Sequence, residues 1–131
     1  MAEAMEGQNE QNFLLLYRLL LHSTRVLQAK FESLLPQGTT LQTWQPKGQA
    51  LKEAKLSSKQ ISYLKQRLTD KFDIGLWISL LRNFSFKSDK NNPLWNETDN
   101  DKIKNSGDIA DIVRIRNLRN TVCVLFCNWT L

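Results

Sequence analysis

Arg116, Arg119, Asn120 and Cys123 follow one another at helical spacing near the end of the chain, in "DIADIVRIRNLRNTVCVLFCNWTL". Steps of three and four put side chains on one helical face. Two guanidiniums, an amide and a thiol therefore share an edge. A guanidinium offers a planar fork of donors that fits phosphate oxygens two at a time. The plain alternative is an arginine that pairs with an acid or stays hydrated. Asp111 is spaced for a pair with Arg114, worth about 0.2–0.5 kcal/mol. Cys123 and Cys127 also share a face. The chain has two cysteines and one histidine, His22, which lies far away in sequence. That set falls short of the four ligands a structural zinc takes. Free thiols in a reducing compartment are the expectation, with no metal and no cofactor.

The bulk numbers frame that edge. A chain of 131 residues with 41% hydrophobic and 24% charged content is long enough for one domain with a real core. A formal net charge of +5 mildly favours acidic partners such as RNA. "FLLLYRLLL" (residues 13–21) is apolar but carries Arg18, and it falls far short of the roughly 20 residues of a membrane span. The residues before it include Glu3, Glu6 and Glu10, the wrong sign for a secretory leader. A cytoplasmic protein with no membrane contact is expected.

The periodicity predicts helices and no strands. Residues 1–11 are acidic and expected to be disordered. From Asn12, read as the cap, Leu16, Leu19, Leu20, Ser23, Leu27 and Phe31 form a core stripe, which Pro36 and Gly38 end. Leu51, Ala54 and Lys55 suggest a short helix. Ser57 or Ser58 caps the next, with Ile61, Leu64 and Leu68 as its apolar line. Its other face carries Lys59, Lys65 and Arg67, which reads as a solvated basic face. Asp73 caps "FDIGLWISLLRNF", where Ile74, Leu76, Trp77, Ile78, Leu80 and Leu81 bury most of the girth. Gly75 permits close packing there, and Arg82 and Asn83 lie at the helix end, where a cation offsets the dipole. Residues 85–107 read as a long mobile loop pinned by Leu94 and Trp95. Asp108 is expected to cap the final helix, packed through Ile109, Ile112, Val113, Ile115, Leu118 and Val122. The fold class is all-α, a bundle of four to five helices.

Four stretches in this order, "LYRLLLHSTRVLQAKFESLLP", "LSSKQISYL", "FDIGLWISLLRNF" and "DIADIVRIRNLRNTV", resemble the HEPN-like domain of the DAZ-interacting zinc-finger type of ubiquitin ligase. The resemblance spans roughly residues 13–122. The domain expected from it covers 12–126, with 127–131 as a divergent tail. It implies a helical bundle that dimerises, as a homodimer or with a related HEPN domain, and RNA as a ligand. In HEPN ribonucleases an Arg, commonly followed by a polar residue, precedes a His by a few residues, and two copies form one metal-independent site. The ribose 2′-hydroxyl attacks the adjacent phosphate, His assists proton transfer, and Arg steadies the developing charge.

Carried over residue by residue, Arg119 and Asn120 match the motif's start and Val122 matches a later position. Cys123 replaces an aromatic residue, and Leu125 stands in the histidine's place. Leucine neither donates nor accepts a proton. The expectation is thus a non-catalytic HEPN-like module for dimerisation or RNA binding. Arg116, Arg119 and Asn120 form its degenerate motif, with Arg82, Asn83 and Arg114 in support. Two alternatives stay open: an active metal-independent endoribonuclease, and a fragment of a larger ubiquitin-ligase or innate-immune-type multidomain protein. A RING inside this chain is excluded, because two cysteines and one histidine cannot supply its zinc ligands. The change of character after Cys123 suggests that the resemblance fails there, as in a C-terminally truncated product lacking the closing helix of its relatives.

Overall fold

A computed structural model describes the backbone of residues 2–46 and 48–129, and the side chains of 10–46 and 50–124. It contains five α-helices and, among the described residues, no strand. They are α1 (Ala2–Ser33), α2 (Gly48–Glu53), α3 (Ser58–Lys65), α4 (Ile74–Leu80) and α5 (Asp108–Trp129). Helices α1, α4 and α5 pack on one another. Short α4 is the centre: Leu76, Trp77, Leu80 and Leu81 are wholly buried. Trp77 anchors an aromatic cluster, with ring centroids 5.8 Å from Phe31 and 5.0 Å from Phe72. Phe31 in turn meets Trp44 edge-on at 5.0 Å, a preferred geometry for aromatic pairs.

The local start signals read from sequence hold at two helices. Ser57 and Gln60 form a reciprocal capping box on α3, with bonds of 2.9 and 3.1 Å, which satisfies two otherwise orphan donors. Asp73 caps α4, its carboxylate accepting from the Leu76 amide at 2.8 Å. At α5 the expectation is corrected. Gly107, at φ +115°, takes the cap position, and its carbonyl accepts the Asp111 amide. Asp108 is instead the first helical residue and pairs with Lys30 at 2.8 Å. That bridge sets an anion at the α5 N-terminus against a cation at the α1 C-terminus, favourable for both dipoles.

Helix α1 begins at Ala2 rather than Asn12, because Ala, Glu, Met and Gln in the opening residues are good helix formers. Leu19, expected in the core stripe, is 37% exposed, whereas Leu27 and Phe31 are buried. Helix α3 ends before Leu68, which is exposed. Arg67 turns the chain out with φ +57° and donates to the carbonyls of Leu41 and Gln42. Arg67 is therefore a tie between segments, whereas Lys59 and Lys65 remain exposed.

The segment expected as a long loop is built from three short 3-10 turns, Lys87–Asp89, Pro93–Asn96 and Asn100–Lys102. Trp95 and Ile103 plug it into the core at 1% and 5% exposure. Between α4 and this segment the chain makes a π-helical turn over Leu81–Ser85. Leu118, placed in the packing stripe by its period, lies on the outer side of α5, and buried Asn117 sits beside it.

Candidate nucleic-acid interface

The arginines of α5 divide into two groups by what they touch. Arg114 pairs with Asp111 at 3.0 Å and reaches the carbonyls of Ile103 and Asn105 at 3.3 and 2.7 Å. Arg116 donates to the carbonyls of Trp95 and of Glu97, the latter at 2.7 Å, and to the Asn117 side-chain oxygen. Asn117 donates to the Glu97 carbonyl at 3.0 Å and to the Asn100 side chain at 2.9 Å. Arg114, Arg116 and Asn117 thus clamp the 3-10 segment onto α5. Helical spacing puts Arg116 on the same edge as Arg119 and Asn120, but its fork is occupied by main-chain oxygens. Asn117 is a structural residue that the sequence reading passed over; its signal is the step of three and four with Ala110 and Val113, which puts it on the buried face of α5.

Arg119 is different. Its Nε is buried with no hydrogen-bond partner among the described residues, and no carboxylate there lies within ion-pair distance. Its guanidinium rests against the first turn of α4. A Cβ added to Gly75 would lie 3.9 Å from both terminal nitrogens and 3.6 Å from the Asp73 carboxylate. Gly75 therefore seats this side chain. Asn120 and Cys123, on the same edge of α5, are exposed.

Arg82 completes a cationic cluster. Its Nε donates to the Lys90 carbonyl at 2.8 Å, and its guanidinium lies 5.5 Å from the Trp95 ring centroid. Burial, and then the neighbouring Arg82 and Arg119 cations, hold the Arg116 guanidinium below its usual pKa. Asn83 is turned inward, donating to the Ser79 carbonyl at 2.8 Å, and stabilises the π turn rather than the surface. Among the described residues no cluster of His, Cys, Asp and Glu is placed to hold a metal ion. None of the helices there is long and apolar enough to cross a membrane.

Residues 36–127 match the model of a protein family described as DZIP3/hRUL138-like HEPN. The chain belongs to this HEPN family. The match covers well over half of its 131 residues. No curated protein and no solved structure matches it. The matched part of the HEPN domain begins at Pro36, which leaves α1 outside it. It runs past Cys123 to Cys127, so the family pattern continues through the stretch where the sequence alone suggests that it fails. The side chains of Leu125 and Cys127, and the tail at Thr130 and Leu131, lie outside the described residues.

Proposed function

We propose that this HEPN domain is a non-catalytic module that binds RNA along the Arg119–Asn120 edge and pairs with a second HEPN domain through α5. The supporting observation is the state of Arg119: a guanidinium with no carboxylate and no hydrogen bond among the described residues, beside exposed Asn120. A phosphate would supply the oxygen partners this fork lacks. Leu118 and Val124, 43% and 61% exposed, supply apolar surface on the same helix for a partner.

Cleavage is not part of the reading. General acid–base assistance is worth about 10²–10⁴-fold, and Leu125 cannot provide it. The test is fluorescence anisotropy with single-stranded RNA, with the product run on a denaturing gel. Binding without cleavage, weakened by Arg119→Ala, is expected. Cleavage that disappears in Arg119→Ala would instead establish the endoribonuclease alternative. RNA affinity equal in wild type and Arg119→Ala would remove the binding edge from the proposal.

A further inference from the structure

Helix α1 is apolar on more faces than the fold uses. Its 32 residues span roughly 48 Å at the standard rise. Leu27 and Phe31 are buried in the core and Leu20 packs against it. A second stripe, Leu14, Tyr17 and Leu21, runs at steps of three and four along another face, 52%, 57% and 39% exposed. A helix with apolar residues on several sides is built to be covered on several sides.

The charges that end this stripe are opposite in sign. Glu10 lies one turn before Leu14, and Arg25 one turn after Leu21. Both are exposed, and neither is in an ion pair among the described residues. Glu10 and Arg25, and likewise Leu14 and Leu21, lie at equal distances in sequence from the midpoint between Tyr17 and Arg18, and the outer pair is opposite in charge.

We propose that α1 pairs antiparallel with α1 of a second copy of this chain, about a two-fold axis between Tyr17 and Arg18. That register sets Leu14 against the partner's Leu21, and Glu10 against the partner's Arg25. Each contact occurs twice, as an isologous interface requires. Tyr17 and Arg18 of the two copies meet at the axis, where a guanidinium over a phenol ring is attractive. A parallel pair would set Glu10 against the partner's Glu10, and Arg25 against the partner's Arg25, so the charges select the antiparallel arrangement. The third exposed stripe, Leu15, Leu19 and Val26, has no such pair of opposite charges at its ends. The interface lies outside the family match, which starts at Pro36, and is independent of pairing through α5.

Sedimentation equilibrium of the full chain over a concentration series tests it. Self-association is expected, weakened about a hundredfold or more in Leu14→Glu/Leu21→Glu, which buries carboxylates against a partner without touching the core. Unchanged thermal melting of that variant's monomer separates failed pairing from failed folding. Glu10→Arg and Arg25→Glu should each weaken association by roughly fivefold, since each removes two exposed ion pairs. The two together in one chain should restore it. A strictly monomeric wild-type chain overturns the proposal. So do single charge reversals without effect, or a reversal pair that fails to recover. Association abolished by Val124→Glu but intact in Leu14→Glu/Leu21→Glu overturns it while leaving pairing through α5 standing.

Discussion

Asn117 donates a hydrogen bond of 3.0 Å to the carbonyl of Glu97, twenty positions earlier in the chain. Arg116 reaches the same oxygen at 2.7 Å. Two adjacent residues of α5 thus close one main-chain carbonyl that the 3-10 segment leaves open, and the remaining Asn117 donor closes on Asn100. A buried amide with its partners present specifies one position of the segment. A buried amide deprived of them is costly.

Asn117→Leu should therefore destabilise the domain by about 1–2 kcal/mol, because it removes both bonds that Asn117 donates and the oxygen that accepts from Arg116, and leaves Arg116 alone to hold the Glu97 carbonyl. The measurement is the urea midpoint. Hydrogen exchange should quicken first at residues 93–105, ahead of α4, since that segment loses its tie while α4 keeps its own core.

Arg116 and Arg119, three apart on one helix, should separate cleanly. Arg116→Lys keeps the charge but replaces a fork by a point donor, so the bonds to Trp95 and Glu97 cannot both be kept. A loss of about 1–2 kcal/mol is expected. Arg119→Ala breaks no hydrogen bond and should change stability by less than about 1 kcal/mol. Its effect should appear in RNA binding. The salt dependence of log K should fall by about 0.7, the share of one neutralised phosphate on a single strand. Thermal melts and binding titrations on the two variants check both halves. Equal effects on stability would mean that Arg119 has a structural partner after all.

The difference between these two arginines is invisible in the sequence, and the reason is physical. Local signals are legible: the Asp73 cap, a serine cap at Ser57 or Ser58 and the Asp111–Arg114 pair each involve residues within one helical turn, where spacing alone fixes geometry. The buried girth of α4 is legible too, since its run is apolar on every side. Which face of α1 or α5 turns inward is not, because both helices carry more apolar residues than one stripe can hold. Leu19 and Leu118 fit the period and still lie outside. The destination of Arg116 depends on the 3-10 segment. Its turn-forming residues read as loop, and its contacts with α5 are long-range in sequence.

Gly75→Ala should stabilise the domain slightly. Gly75 is helical, and the added Cβ would meet the Asp73 carboxylate and the Arg119 guanidinium at ordinary contact distances of 3.6 and 3.9 Å. Alanine exceeds glycine in helix preference by up to about 1 kcal/mol. A rise in the melting temperature is the expected result. Gly75→Leu, by contrast, has no room beneath Arg119 and should lower RNA affinity along with stability.

Asp73 performs two tasks that a single substitution can separate. Its carboxylate accepts the Leu76 amide at 2.8 Å, and it borders the same glycine that seats Arg119. Asparagine caps helices as well as aspartate does, whereas alanine loses about 1 kcal/mol. Asp73→Asn should thus hold the melting temperature near that of wild type while removing a negative charge beside the Arg119 guanidinium. With less competition for that cation, RNA should bind more tightly, and the gain should shrink as salt rises. Asp73→Ala should show the same gain in affinity on a less stable domain. If Asp73→Asn binds RNA no better than wild type at low salt, the Arg119 seat is not where phosphate is held.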